Sequence, residues 1–127
     1  MLVTICGKKY NKNIQEIDLS SSNLTEIPEA LYELTNLEEI DLACNQIRVI
    51  PIELFMKLPN LETLNFYDNE IEVIPKEIAN MQNLHELNLS SNKITEIPIE
   101  LCQLPNFDCG LNLFGNCITR IPPEIGN

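Results

Sequence analysis

The dipeptide Ile-Pro recurs five times along the chain at nearly constant spacing. The intervals between successive copies are 23, 24, 23 and 24 residues. The isoleucines of these dipeptides are Ile27, Ile50, Ile74, Ile97 and Ile121. A period of this size is typical of a solenoid, in which one supersecondary unit is copied along an axis. Each copy can bury its apolar side only against its neighbours, so we expect function to lie on an extended surface and not in a deep pocket.

A second pattern lies upstream of each dipeptide. Apolar residues stand at positions 1, 4, 6 and 11 of the unit, and asparagine stands at position 9 of the last four units, where the first unit has Ser22. The apolar sets are Ile14-Ile17-Leu19-Leu24, Leu37-Ile40-Leu42-Ile47, Leu61-Leu64-Phe66-Ile71, Leu84-Leu87-Leu89-Ile94 and, incompletely, Leu111-Leu113-Ile118. The asparagines are Asn45, Asn69, Asn92 and Asn116. We expect their amides to bond backbone groups of adjacent turns.

This pattern, L-x-x-L-x-L-x-x-N-x-L, closely resembles the signature of the leucine-rich repeat family over residues 14–127. Alternation at positions 4 to 6 predicts one short strand in each unit, and the stacking of units predicts a parallel sheet. Proline lacks an amide donor, so the Ile-Pro segments belong on the return side, where short 3₁₀ or α turns follow them. The predicted fold is an α/β leucine-rich repeat solenoid with a curved parallel β-sheet on its concave side and short turns on its convex side.

The spacing divides the chain into a cap and a repeat array. Residues 1–13 contain three lysines and no acid, and their sequence around Gly7 predicts a hairpin that serves as an amino-terminal cap. The repeats are 14–36, 37–60, 61–83, 84–106 and 107–127, the last of them incomplete. The 24-residue unit 37–60 places Leu54 and Leu58 four residues apart, so we expect a fuller α-turn there.

The fifth unit departs from the pattern by one residue. Phe107 stands one place before the first position of the unit, which indicates an insertion. We expect Phe107 to fill the core position while Asp108, Cys109 and Gly110 form a bulge that glycine eases.

Side chains between the framework residues should form the concave wall. Positions 2, 3, 5, 7 and 8 of the five units hold eight of the 19 acidic residues and no lysine or arginine. The predicted partner-binding residues on this face are Glu16, Asp18, Glu38, Glu39, Asp41, Glu62, Tyr67, Asp68, Glu86 and Phe114. Adjacent strands would set Glu16 beside Glu39 and Asp18 beside Asp41, and such like-charge pairs should raise each other's pKa or attract a cation.

Two interpretations of this acidic wall stay open. It is a docking surface for a basic protein partner, with Tyr67 and Phe114 as aromatic anchors, or a solvated face that keeps a chain of net charge −11 in solution. Nucleic acid is disfavoured, because its phosphates carry the same sign of charge.

The sequence offers no set of residues for catalysis or for a cofactor. His85 is the single histidine, the five cysteines lack zinc-site spacing, and the four glycines never form a phosphate-binding loop. A calcium site built from Glu38, Glu39 and Asp41 is disfavoured because a regular strand presents its oxygens in a row. We therefore predict a protein that is not an enzyme and that holds no cofactor or metal.

Localisation is inferred from the first residues and from the cysteines. The opening apolar run is short and lacks a preceding basic region, no segment is long enough to span a membrane, and the cysteines are scattered and odd in number. We therefore expect a cytoplasmic protein with reduced thiols. A surface-adhesion or antigen-recognition module would instead require secretion.

Within the family, the 23-residue unit with I-P-x-E-I or I-P-x-E-L resembles intracellular Ras-group scaffold proteins. The resemblance implies a non-enzymatic signalling adaptor whose partners include small GTPases and phosphatases. The short array and the lack of a carboxyl-terminal cap depart from that class.

The end of the array supplies the alternative function. The residues Leu113, Ile118, Ile121 and Ile125 would lie at an edge without a lid. An edge of this kind predicts either a longer repeat array or a structural protein that self-assembles into homo-oligomers through apolar contact.

Overall fold

The computed structural model describes residues 1–104 and 110–119, apart from the side chains of Cys102 and Gln103. Five short parallel strands form one sheet, in chain order, with one strand from each repeat. They are β3 (Glu16–Asp18), β4 (Glu39–Asp41), β5 (Thr63–Asn65), β6 (Glu86–Asn88) and β7 (Leu111–Asn112). The predicted solenoid with a curved parallel sheet is therefore confirmed.

A separate hairpin precedes the sheet. Strands β1 (Leu2–Ile5) and β2 (Lys8–Asn11) pair antiparallel around a turn in which Gly7 has a φ of +77°, a torsion that glycine adopts without steric cost. Val3 and Ile5 point into the core, where they are 5% and 2% exposed. The hairpin expected around Gly7 is present, and its apolar side packs on the first repeat.

The return side of the solenoid consists of short helical turns that begin directly after the prolines. Three of them are 3₁₀ turns, Glu29–Glu33, Lys76–Asn80 and Ile99–Gln103. The second repeat has an α-helix instead, α1 (Ile52–Lys57), in which the amide of Leu58 donates to the carbonyl of Leu54 at 3.3 Å. The four-residue spacing in the longer unit therefore predicted the correct type of turn.

The core is a strip of aliphatic side chains between the sheet and the helical turns. Position 4 of each of the first four repeats is buried, at 5%, 1%, 1% and 1% exposure. These residues are Ile17, Ile40, Leu64 and Leu87. Because neighbouring residues of a strand point to opposite faces, positions 3 and 5 face outward.

The position 9 asparagines connect adjacent coils, as predicted. Asn69 accepts a hydrogen bond from the amide of Ile47 at 3.0 Å and donates to the carbonyls of Leu42 and Phe66 at 2.9 and 3.1 Å. Asn45 and the other two asparagines repeat this arrangement. Each buried amide thus satisfies backbone groups of its own coil and of the preceding one.

The fifth repeat is described from Gly110 onward. Leu113 and Ile118 are half-buried against the core, whereas their equivalents in the fourth repeat, Leu89 and Ile94, are fully buried. The expected bulge at 107–109 and the edge residues Ile121 and Ile125 lie outside the described residues.

Candidate functional site

Two columns of outward side chains cross the sheet. At position 3 the column contains Glu16, Glu39, Thr63, Glu86 and Gly110, and at position 5 it contains Asp18, Asp41, Asn65, Asn88 and Asn112. The register of β3 and β4 sets Glu16 directly beside Glu39 and Asp18 beside Asp41, as expected. Strands in a sheet lie about 4.8 Å apart, so four carboxylates face the same solvent within two strands.

These columns line a continuous open groove along the concave face. Its first part, of about 410 Å³, is lined by the four carboxylates of β3 and β4. Its second part, of about 610 Å³, runs over β5 to β7, past His85 and Glu86 to Gly110. Thr63 and Asn65 border both parts. No lysine or arginine is among the described residues that line the groove.

The position 5 side chains have a structural role that the sequence interpretation missed. In every repeat the side-chain oxygen of this residue accepts a hydrogen bond from the backbone amide two residues later. For Asp41 the donor is the amide of Ala43, at 3.0 Å. The available signal was that all five residues are aspartate or asparagine, the types that form such local turns.

The hydrogen bonds accepted at position 5 correct the direction that we expected for the pKa of Asp18. Asp18 was expected to have a raised pKa because of its neighbour Asp41. Instead, hydrogen bonds from the hydroxyl and the amide of Ser20, with a further contribution from the Lys8 charge, hold the pKa of Asp18 below its ordinary value of 3.8. These donors to the charged form outweigh burial, which acts to raise the pKa of Asp18.

The other predicted site residues flank the strands. Glu38 and Glu62 stand just before β4 and β5, are half-buried, and each accepts two amide bonds at its backbone carbonyl. Tyr67 and Asp68 follow β5, and Phe114 follows β7. The groove lining contains none of these five described residues, so they stand at its margins.

Position 8, at the carboxyl-terminal margin of the sheet, has a left-handed backbone in every repeat. The φ angles of Ser21, Cys44, Asp68, Ser91 and Gly115 lie between 50° and 76°. Non-glycine residues adopt this region at an energetic cost, so the turn fixes where these side chains lie. Gly115 was the only hint of this torsion in the sequence.

A second depression lies on the back of the first two repeats. Its lining includes Glu29, Tyr32, Glu53 and Lys57. Burial, together with Glu53 and Glu29, raises the pKa of Tyr32 from 10.0 to about 12. The ammonium of Lys57 lies 5.6 Å from the centre of the Tyr32 ring. A cation of the chain itself thus already occupies the aromatic surface here.

Metal ligation and membrane insertion find no support in the described part of the chain. Between residues 1 and 104 and between 110 and 119, no three His, Cys, Asp or Glu side chains form a group that could hold a metal ion. Among the same residues, no helix has the length and apolarity that crossing a bilayer requires. Cys6, Cys44 and Cys117 are exposed free thiols.

Comparison with known proteins supports the fold from two directions. A sequence family described as "Leucine rich repeat" matches residues 35–94, and one described as "Leucine Rich repeats (2 copies)" matches residues 12–54. A leucine-rich repeat protein of Leptospira interrogans is 38% identical, with a TM-score of 0.82 over 90% of this chain and 29% of that one.

Two complexes are also similar in structure. The plant peptide hormone receptor RGFR1 in complex with RGF2 is 36% identical, with a TM-score of 0.73 over 91% of this chain and 21% of that one. The BIR3–SERK2 complex from Arabidopsis thaliana contains a chain that is 35% identical, with a TM-score of 0.71 over 78% of this chain and 54% of that one.

Curated relatives match only in part. The volume-regulated anion channel subunit LRRC8D of Homo sapiens is 36% identical over 67 residues, which are 52% of this chain and 8% of that protein. The leucine-rich repeat-containing G-protein coupled receptor 5 of Xenopus tropicalis is 44% identical over 46 residues, 36% of this chain and 5% of that one. The chain thus spans less than a tenth of these relatives. With its repeat signature, its parallel sheet and these matches, the chain belongs to the leucine-rich repeat family.

Proposed function

We propose that this chain is a non-enzymatic protein-binding module that takes a basic protein partner on its acidic concave face. Leucine-rich repeat domains commonly mediate contacts between proteins, and the similar plant structures include two complexes, one of them that of a peptide hormone receptor. The observation that carries the proposal is the pairing of Glu16 with Glu39 and of Asp18 with Asp41 along a groove that no described lysine or arginine lines.

The carboxylate pairs on β3 and β4 lower the stability of the sheet. Like charges on directly paired strands destabilise a sheet, and asparagine at position 5, as in the last three repeats, keeps the same turn bond without the charge. Local structure therefore does not require aspartate at Asp18 or Asp41. A basic partner would be attracted by this face and would relieve its repulsion on binding.

The proposed contact set is the predicted one: Glu16, Asp18, Glu38, Glu39, Asp41, Glu62, Tyr67, Asp68, Glu86 and Phe114. The carboxylates of the groove would supply attraction, and the two exposed aromatic residues would supply apolar contact. A cytoplasmic signalling adaptor that holds a small GTPase or a phosphatase is the role that the family resemblance favours, and three exposed free thiols agree with a reducing compartment.

Affinity capture from cell extract at low and at high salt tests the charge component. The double variant Glu16→Lys/Glu39→Lys should lose the captured protein, and the wild type should release it as salt rises. The matched control is Glu33→Lys/Glu72→Lys, which makes the same charge change on exposed residues outside the groove. Equal capture by both double variants would contradict the proposal.

Charge can also be removed without loss of the local turn. Asp18→Asn/Asp41→Asn keeps an acceptor for the amides of Ser20 and Ala43 and leaves the net charge two units less negative. We expect weaker capture and an unchanged fold. Full capture by this variant would show that these carboxylates do not contribute to binding.

Self-assembly through the end of the array is the second candidate function. The partial exposure of Leu113 and Ile118, whose equivalents one repeat earlier are buried, favours it. An apolar contact of this kind should persist at high salt, whereas an acid-steered partner should dissociate. A solution mass that stays monomeric at high protein concentration would exclude this candidate.

A further inference from the structure

The carboxylates at positions 3 and 5 are concentrated in one half of the concave face. At positions 3 and 5, all four side chains of β3 and β4 are carboxylates, whereas Glu86 is the single carboxylate among the six equivalent residues of the last three repeats. The groove is continuous across this boundary, because Thr63 and Asn65 line both parts. Its two halves therefore favour different chemical groups.

Exposed aromatic side chains occur in the other half. Position 7 is Ser20 and Ala43 in the first two repeats, whereas the third and fifth repeats have Tyr67 and Phe114, which are 43% and 83% exposed. Tyrosine and phenylalanine are among the residue types in which protein interfaces are enriched.

Both aromatic residues stand on backbone that hydrogen bonds fix on two sides. The amide of Tyr67 donates to Asn65 at 2.9 Å, and its carbonyl accepts from the amide of Cys44 at 2.8 Å. The amide of Phe114 donates to Asn112 at 3.1 Å, and its carbonyl accepts from Ser91 at 2.7 Å. Anchors on such a fixed backbone lose little further backbone freedom when they bind.

One small residue separates the two aromatic positions. The intervening repeat has Ser90, which is 5% exposed and donates its hydroxyl to Asn88. Two strand spacings, about 10 Å, separate the backbone of Tyr67 from that of Phe114. This distance accommodates one apolar side chain above the small serine.

We propose that the concave face takes an extended protein segment in one direction, with its basic side chains over β3 and β4 and one apolar side chain between Tyr67 and Phe114. The inference rests on the proposed function and specifies its partner. Charge complementarity favours a protein segment, because the first half attracts cations and the second half presents aromatic surface with Glu86 as its one carboxylate at positions 3 and 5.

Selection of a random peptide display library on the immobilised chain tests the chemistry. We expect enriched peptides to contain lysine or arginine near one end and an apolar residue near the other, in a constant order. The dissociation constants of synthetic copies would then be measured by calorimetry against the wild type and three double variants.

The three variants separate the two halves of the groove. Tyr67→Ala/Phe114→Ala should weaken binding about tenfold or more, and this loss should vanish for a peptide whose apolar residue is alanine. Glu16→Lys/Glu39→Lys should weaken binding through the basic residues of the peptide instead. Val49→Ala/Val73→Ala changes two residues that are 69% and 68% exposed outside the groove and should leave affinity unchanged.

The outcomes distinguish the inference from the proposed function. If the Glu16→Lys/Glu39→Lys variant loses affinity and the aromatic variant does not, acidic binding stands and the directional inference is wrong. Enriched peptides with no constant order of basic and apolar residues would also overturn the inference. If no peptide is enriched, the inference is wrong, and the affinity capture alone decides the proposed function. If neither the charge variant nor the aromatic variant loses affinity, both the inference and the proposed function fail.

Discussion

At the scale of single residues, one asparagine in each of the last four coils, buried in three of them, replaces backbone partners that the irregular turn cannot supply. Replacing Asn69 with alanine would leave the amide of Ile47 and the carbonyls of Leu42 and Phe66 without these bonds in a buried site. We expect the free energy of unfolding, measured by urea titration, to fall by about 1 to 3 kcal/mol.

The exposed Asn60 provides the matched control for this substitution. Asn60→Ala removes the same amide from the surface, so its effect should stay within about 0.5 kcal/mol. Equal stability of the Asn69 and Asn60 variants would contradict the role assigned to the buried asparagines.

The acidity of Asp18 should depend on Ser20. Ser20→Ala removes the hydroxyl donor, at 2.6 Å, and keeps the amide donor, so the pKa of Asp18 should rise toward 3.8. The depressed pKa stabilises the folded state above about pH 4, and this contribution is lost as the pH falls through the folded pKa. A carbon-13 NMR titration of the Asp18 carboxyl measures the shift, and an unchanged midpoint would contradict the assignment.

Residue roles could be predicted where a single chemical need sets the residue type. The asparagines at position 9 were recognised because a buried amide must satisfy backbone groups. Asp18 and Asp41 were interpreted only as charges, since aspartate serves both as a local acceptor and as a surface anion. The backbone geometry decides between those two roles. The left-handed torsion at position 8 was missed for a similar reason, because a serine such as Ser91 does not indicate it in the sequence.

At the scale of single elements, the pairing of β7 with β6 depends on Gly110. A Cβ on Gly110 would overlap the backbone carbonyl of His85 in the neighbouring strand. We expect Gly110→Ala to separate β7 from β6 and to accelerate amide hydrogen exchange at Leu87 and Leu89, which donate to Gly110 and Asn112. The bulge predicted upstream, at 107–109, stays a prediction, and an insertion in the sequence does not specify which residue leaves the register.

Gly7→Ala is the control for the substitution at Gly110. A Cβ at Gly7 meets no atom within 4 Å, but its φ of +77° makes the change unfavourable at the other end of the chain. Exchange at Leu87 and Leu89 should therefore stay at the wild-type rate. Identical exchange profiles for the two alanine variants would show that Gly110 does not control the last strand.

The negative charge of Glu39 on β4 should lower the stability of the fold while it promotes binding of a basic partner. Glu39→Lys converts the like-charge pair with Glu16 into an opposite pair, so the free energy of unfolding should rise by about 0.2 to 1 kcal/mol as binding of the basic partner weakens. Chemical denaturation and the capture assay measure the two effects. A variant that loses both stability and binding would indicate that Glu39 acts in the fold and not in recognition.

At the scale of the whole molecule, the repeat period predicted the architecture because stacking leaves few alternatives. Hydrophobic periodicity fixed the buried positions, and the longer second unit indicated α1. The sequence predicted the candidate site as a set of outward positions, but it did not predict that these positions line one continuous groove. Whether Glu38 or Tyr67 lines the groove or flanks it depends on where each strand begins and ends, which the periodicity leaves uncertain by a residue or two.

Backbone NMR of the nitrogen-15-labelled chain, titrated with a selected peptide, tests most directly whether the concave face is the recognition surface. We predict chemical-shift changes concentrated at β3 to β6 and around Tyr67 and Phe114, with little change in the helical turns Glu29–Glu33 and Lys76–Asn80. Changes confined to those turns, with the amides of the sheet unmoved, would contradict the account.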